Sequence, residues 1–329
     1  MNFPKHNRYL IFKRTGKNYY NIKNCITEEE WDMDIKYARF LKDLDGHTNP
    51  YEIDTDLDEY EVEALLDDMD NEGLFDDNDG IMSLGFGSVL IPLWTPKISK
   101  PHRLLGAIWN RILIISWLPL LVMGLHVLLS GSWDYVERGW GTLTGYLLGF
   151  GLGLLLHELS HAASCIGYGS KCHFFEMGLM THVFLPGAYV IIDYSDLKNK
   201  YKRIQINAAG IECNVALAGV FLCALELELM DSSALIIAAA LNAVMAIFNT
   251  SLIEGIDGMG IFREALGCSP DFVENAKSLI FSEQGKRQLR GRGINGRATI
   301  VACYIIVGLQ ILLPIVLVMN VVNVVGIFV

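Results

Sequence analysis

Residues 141–167 read GTLTGYLLGFGLGLLLHELSHAASCIG, and this stretch decides the fold class of the chain. It is almost wholly apolar and exceeds the roughly 20 residues that an α-helix needs to cross a bilayer. Three ionisable side chains, His157, Glu158 and His161, interrupt it. Because such groups are costly at membrane depth, they favour a functional site over chance. The stretch therefore predicts a membrane helix that carries chemistry.

The segment His157-Glu158-Leu159-Ser160-His161 has the spacing of a zinc-binding helix. Two histidines four residues apart project from one helix face, so both imidazole rings can bind one Zn²⁺. Glu158, beside the first histidine, could then act as a general base toward water at the metal. The motif alone leaves a proton relay or a transporter site open, since both also place polar side chains in membrane helices.

Composition agrees with a multi-pass membrane protein that carries a modest soluble part. Of the 329 residues 52% are hydrophobic, which favours several apolar helices. Residues 1–82 hold 21 acidic and 9 basic side chains, so the acidic excess lies there. This charge argues against nucleic acid as a partner and is compatible with a basic peptide, although solubility explains it equally well.

Five membrane spans are expected, at residues 107–130, 141–163, 206–229, 233–253 and 298–320. Lys and Arg cluster before the first span and within the stretches 164–205 and 254–297. By the positive-inside rule, the amino-terminal domain and both long loops are then cytoplasmic, and the protein is a multi-pass protein of the cell membrane. No apolar central region of a cleavable signal peptide is seen at the amino terminus.

The seven cysteines are odd in number and form no CxxC pair, which disfavours both a disulfide framework and a thiolate zinc site. We expect a soluble domain over residues 1–80, an interfacial linker over 81–106 and a membrane domain over 107–329. The linker segment 81–96 is apolar but too short, and too broken by Gly and Pro, to span.

The soluble domain is predicted to have α+β, winged-helix order. Residues 8–15 and 18–22 predict a β-hairpin. Thr27 is the expected N-cap of a first helix, with Glu30 at the capping-box position and apolar residues following at helical spacing. Two further helices are expected, over residues 50–55 and 58–72.

This order, with FLKDLDGHTNPYEI at residues 40–53 and VEALLDDMDNEGLF at 62–75, resembles a small peptide-binding winged-helix domain known from coenzyme PQQ biosynthesis. Such domains recognise the leaders of ribosomally made peptides. The resemblance implies that a precursor peptide binds as an added strand at the edge of the hairpin. An ordinary regulatory winged helix is the alternative.

A catalytic zinc site needs three protein ligands, so a third donor is required besides the two histidines. Asp257, in FNTSLIEGIDGMGIF at residues 248–262, is the candidate. His157 and His161 lie near the inward end of the second expected span, and Asp257 follows the inward end of the fourth. We therefore expect all three at similar depth on the cytoplasmic side.

Together these motifs resemble the site-2 protease family of intramembrane zinc metalloproteases, particularly a bacterial branch linked to peptide maturation. The family pairs HExxH with a later Asn-x-x-Pro-x-x-x-x-Asp-Gly motif. Asn249 and Asp257-Gly258 match that motif at the right spacing, with Leu252 in place of the proline. The segment NAAGIECN at residues 207–214 is similar to the family's Ala-Gly-Pro-x-x-Asn element, again without the proline.

The resemblance implies that His157, His161 and Asp257 bind zinc and that Glu158 is the base. It also implies that Asn214 and Asn249 donate hydrogen bonds to a substrate carbonyl or oxyanion, with interhelical hydrogen bonding as the alternative. The strand-forming residues 184–192 would belong to a re-entrant hairpin that presents substrate, or else to a plain loop. Other polar and small residues are expected to have supporting roles. His173 and His182 are interpreted as loop histidines, and Glu254 as a carboxylate that supports the site or belongs to a loop. Gly145, Gly149 and Gly153 are expected to allow close helix packing.

The sequence thus predicts a polytopic α-helical membrane protein with an amino-terminal winged-helix domain. Its expected activity is that of a zinc endopeptidase that cleaves a small ribosomally made precursor peptide, with a peptide exporter as a further partner. Two alternatives are proteolysis of a membrane-anchored signalling protein and a non-proteolytic immunity or transport protein that only binds metal. Glu158 favours an enzyme, because zinc ligation does not need it.

Overall fold

The computed structural model describes residues 3–24, 29–72, 74–75, 82–84, 88–94, 98–130, 139–170, 175–182, 185–194, 196–253 and 255–267, together with 277, 282, 287, 304, 305 and 308. The chain forms two compact units. One comprises Met1–Ile98 with Lys171–Asp193, and the other comprises Ser99–Ser170 with Tyr194–Val329.

A three-stranded antiparallel sheet opens the first unit. Its strands are β1 (Leu10–Arg14), β2 (Tyr19–Asn24) and β3 (Glu30–Asp34), in that order across the sheet. Leu10 pairs with Asn24 at one end of the β1–β2 hairpin. The predicted hairpin is confirmed.

The predicted start of the first helix is wrong. Residues Glu30–Asp34 form strand β3, and helix α1 runs over Ile35–Asp43, with Asp34 accepting a hydrogen bond from the backbone N–H of Lys36 as its N-cap. Trp31 and Met33 alternate with polar residues and pack on the core, which is the period of a strand. Pairing with β2 therefore outweighs the helical spacing that begins at Trp31. Thr27 lies outside the described residues.

Helix α2 completes this part of the unit. It runs over Glu59–Asn71, and Asp58 and Glu61 form a reciprocal capping box at its start. The predicted helix over 58–72 is confirmed. The expected short helix over 50–55 is a single 3₁₀ turn, Pro50–Glu52. Helices and sheet share one hydrophobic core, whose buried members are Leu10, Ile22, Ala38, Phe40, Leu41, Leu44, Val62, Met69 and Leu74.

A second, four-stranded antiparallel sheet belongs to the same unit. Its strands are β4 (Met82–Leu84), β5 (Ser88–Trp94), β6 (Phe175–His182) and β7 (Leu185–Ile192), in that order. The apolar segment 81–96 thus contributes two strands, and its Pro92 lies where the β5 register shifts, a position that proline tolerates. The strand expected within 184–192 is β7.

Helices build the second unit. They are α3 (Lys100–Ser130), α4 (Trp140–Tyr146), a π-helix (Leu147–Leu152), α5 (Gly153–Gly167), α6 (Lys200–Glu226), α7 (Ser232–Asn249) and α8 (Asp257–Leu266). Four helical stretches are long and apolar enough to cross a membrane, namely α3, the continuous run from α4 through α5, α6 and α7. They correspond to the first four expected spans and indicate a membrane-associated protein. The fifth expected span, 298–320, lies almost entirely outside the described residues.

Helix α6 packs against α3, α5, α7 and α8, and so holds the elements that carry the candidate site. Gly145, Gly149 and Gly153 face α7 so closely that a methyl group would not fit. A Cβ atom on Gly149, for example, would lie 2.9 Å from the Cα atom of Ala238. The interpretation of these glycines as a helix-packing surface is confirmed.

Candidate metal centre

Three donor side chains meet at one point in the second unit. His157 and His161 lie one turn apart on α5, and Asp257 is the first residue of α8. The Oδ2 atom of Asp257 is 3.1 Å from Nε2 of His157 and 3.3 Å from Nε2 of His161. The two Nε2 atoms are 3.2 Å apart. Among the described residues, this is the group of His, Cys, Asp or Glu side chains that could hold a metal ion.

Asp257 reaches the histidines because the chain breaks sharply after α7. Helix α7 ends at Asn249, Gly255 adopts a left-handed φ of 82°, and α8 then begins at Asp257. Gly258 packs directly on the end of α7, where a Cβ atom would lie 2.5 Å from the carbonyl oxygen of Ser251. The left-handed turn at Gly255 and the close packing at Gly258 thus form the break between α7 and α8.

Leucine at position 252 has its own packing role. Its side chain packs against buried Met259 of α8, as Phe262 of the same helix does. The residue that replaces the motif's proline therefore helps to fix the helix that carries Asp257.

The spacing of the donor atoms fits a four-coordinate metal ion. Ligand atoms at 2.0–2.1 Å from tetrahedral zinc lie about 3.3 Å from one another. The observed separations are 3.1, 3.2 and 3.3 Å. Although Oδ2 of Asp257 is buried and close to both rings, it accepts no hydrogen bond of acceptable angle from the described residues. A buried carboxylate oxygen that accepts no hydrogen bond is the kind of atom that a bound cation satisfies.

Charge at Asp257 also suits a metal ligand. Burial opposes ionisation of the carboxyl, but the attraction of His161 outweighs it and holds the pKa of Asp257 below its ordinary value. The group is therefore a carboxylate at neutral pH, as ligation requires.

Gly210 of α6 leaves room for the cluster. A Cβ atom at this position would lie 2.5 Å from Nε2 of His157 and 2.5 Å from Nε2 of His161. That space adjoins the Nε2 atoms of both rings. Sequence reasoning did not assign Gly210 a role, although it lies inside the NAAGIECN segment.

Helix α6 also holds the far side of each ring. The Nδ1 atom of His161 is 2.7 Å from the carbonyl oxygen of Ile206, and the Nδ1 atom of His157 is 3.1 Å from the amide nitrogen of Asn214. Ile206, Gly210 and Asn214 are spaced four residues apart, which places them on one face of the helix. This spacing was the available signal for the helix face that lines the site.

Glu158 lies beside the donors on α5. Successive helical residues are about 100° apart, so Glu158 is about 60° around the helix from His161. Its side chain is partly buried. It therefore borders the donor cluster without being one of the three converging groups.

The other predicted site residues are placed differently. Asn249 donates to the carbonyl oxygen of Met245 within α7, and Asn214 contacts His157. His182 is part of β6 rather than of a loop. His173 and Glu254 lie outside the described residues.

Comparisons of the chain with family models, with curated proteins and with solved structures gave no match. Assignment of a function therefore depends on the motifs and on the arrangement of the donor atoms. These two observations agree on the same three residues.

Proposed function

We propose that the protein is a membrane-embedded zinc endopeptidase resembling site-2 proteases. One observation carries this proposal, namely three donor atoms 3.1–3.3 Å apart with a glutamate next to the first histidine. A purely structural His-His-Asp cluster would not need Glu158. Two histidines, one carboxylate and a neighbouring base are what zinc-dependent hydrolysis uses.

In this proposal His157, His161 and Asp257 hold the metal. Bound zinc would polarise a peptide carbonyl and lower the pKa of water at the site. Glu158 takes the proton of the attacking water and passes it to the amine nitrogen as the peptide bond breaks.

The proposed setting is the cell membrane, with about five spans and with the amino-terminal domain on the cytoplasmic side. The basic residues that flank the expected spans support this orientation. Four apolar helices in the described part of the chain support the multi-pass character.

The proposed substrate is a small ribosomally made precursor peptide, matured here before or during export. The sequence resemblance of residues 40–53 and 62–75 to a peptide-binding winged-helix domain supports a peptide-recognition role. In the three-stranded sheet β1 and β3 are the outer strands, so an extended peptide can add to either by main-chain hydrogen bonds.

Co-expression of the protein with a short precursor-peptide gene from its genomic neighbourhood tests the proposal. Mass spectrometry of the peptide should detect cleavage with the wild-type protein and none with Glu158→Gln, because this change removes only the proton transfer. Glu226→Gln, a matched change at the far end of α6, should cleave like wild type. Cleavage by Glu158→Gln at the wild-type rate would exclude the protease.

A further inference from the structure

The two histidine rings are held by chemically different partners. His161 places Nδ1 2.7 Å from the backbone carbonyl oxygen of Ile206. A carbonyl oxygen can only accept, so Nδ1 of His161 carries the hydrogen and Nε2 presents its electron pair to the cluster. The tautomer of His161 is thereby fixed as a metal ligand needs it.

His157 faces a side-chain amide instead. Asn214 is fully buried, and its Nδ2 atom is 3.1 Å from Nδ1 of His157. Because Nδ2 donates, Nδ1 of His157 must accept in this arrangement. The hydrogen of the neutral ring is then on Nε2, the atom that should face a metal.

The other end of the amide lacks a partner. The Oδ1 atom of Asn214 is buried and accepts no hydrogen bond within the described part of the chain. A half-turn of the amide exchanges Oδ1 and Nδ2 in nearly the same space. Oδ1 would then accept from Nδ1–H of His157, and Nε2 would be free to bind.

We infer that Asn214 is the positioning residue that sets the tautomer of His157, with its amide oxygen accepting from Nδ1–H when Nε2 binds metal. This inference rests on the proposed metal centre. It assigns Asn214 to the histidine rather than to a substrate oxyanion, because an amide that is fully buried against the ring is not accessible to substrate. An amide suits the task since it can accept or donate without adding charge.

Metal affinity of the full-length protein in detergent tests the assignment. Zn²⁺ would be titrated against a chromogenic chelator for wild type, Asn214→Ala and Asn214→Asp. We expect Asn214→Ala to bind about 10- to 100-fold more weakly, as is typical when the partner of a ligating histidine is lost. Asn214→Asp should remain within a few fold of wild type, since a carboxylate also accepts from Nδ1–H.

Asn242→Ala is the matched control. Asn242 is another fully buried asparagine, on α7, and it donates to the carbonyl oxygens of Gly149 and Ala238 rather than to a histidine. Its replacement removes the same atoms from the helical unit and should leave Zn²⁺ affinity unchanged. Thermal unfolding of the metal-free variants would show that each is folded.

A Co²⁺ absorption spectrum gives a second readout, because its intensity and position report tetrahedral coordination. Asn214→Asp should keep the wild-type spectrum. Wild-type affinity in Asn214→Ala, or equal losses in Asn214→Ala and Asn214→Asp, would overturn the inference while the metal centre stands. Absence of metal binding in the wild-type protein would overturn the metal centre and this inference together.

Discussion

The Nε2 atoms of His157 and His161 and the Oδ2 atom of Asp257 share the same small space. Their donor atoms lie within 3.3 Å of one another, and Asp257 is ionised. Removal of any one leaves two ligands, which is below the three that a catalytic zinc site uses. Each residue is therefore necessary for tight binding.

We predict about one Zn²⁺ per chain in the purified protein. His157→Ala, His161→Ala and Asp257→Ala should each lose most of it, as measured by elemental analysis after gel filtration. Glu158→Gln should keep the full content, because Glu158 is not among the converging donors.

His182→Ala gives a comparison outside the cluster, and its metal content should equal that of wild type. Full occupancy in Asp257→Ala would contradict the assignment of the third ligand. That result would not by itself exclude His157 and His161 as metal ligands.

The residues of this site were accessible from sequence because their spacing is local. A separation of four fixes the relation of His157 to His161 on any α-helix. Asp257 could be placed beside them because the second and fourth expected spans run in the same direction across the membrane. The partner of His157, in contrast, lies on α6, and no local spacing connects an amide at 214 with a ring at 157.

Helix α6 contacts α5 at the donor atoms. Gly210 permits this approach, and Ile206 and Asn214 contact the histidine rings one turn to either side of it. A larger residue at position 210 would push directly on both Nε2 atoms rather than on a flexible side chain. Position 210 therefore has no room for a side chain larger than that of glycine.

We predict that Gly210→Ala weakens Zn²⁺ binding by more than tenfold and destabilises the fold by about 1–3 kcal/mol through overpacking. Chelator competition and thermal unfolding measure the two effects. The reason is that the added methyl group would crowd both Nε2 atoms, beside the position proposed for the metal.

Gly151→Ala is the control, since a Cβ atom there meets no described atom within 4 Å. Its Zn²⁺ affinity should equal that of wild type. Equal affinity in Gly210→Ala would mean that α5 and α6 separate easily and that the close approach is not required.

Strands were harder to predict than helices in this chain. Helix α2 and the four apolar helices follow from periodicity and hydropathy, which are local properties. Strand β3 was missed because its formation depends on pairing with β2. Strands β4 and β5 were missed because β5 pairs with β6, far along the sequence.

Residues 1–80 contain a hydrophobic cluster of the first unit. All its fully buried members lie between Leu10 and Leu74, in the three strands, the two helices and the segments that flank them. This part of the chain holds 21 acidic and 9 basic side chains, so it accounts for the whole net negative charge of the protein. Its charge and its hydrophobic cluster are compatible with the proposed role in peptide recognition.

We predict that residues 1–82 fold alone and bind the precursor peptide, and that deleting them slows cleavage by lowering the local concentration of substrate. Isothermal titration calorimetry would measure the affinity. Because the domain is acidic, affinity for a basic segment should fall as salt rises.

Failure to bind at high micromolar peptide, together with unchanged cleavage after the deletion, would make the domain a spacer. That outcome would favour proteolysis of a membrane-anchored signalling protein. Binding that does not depend on salt would instead point to apolar contacts as the main source of affinity.

The four-stranded sheet has a consequence for synthesis on the ribosome. Val89 pairs with Thr181, so strand β5 must wait for about 90 further residues to be translated. At about 5–20 residues per second this delay is roughly 5 to 20 seconds. Helices α3 and α5 are made in the same interval. Until β6 emerges, the open edge of β5 is a template for wrong pairing, so nascent chains stalled before residue 175 should be the form most in need of a chaperone.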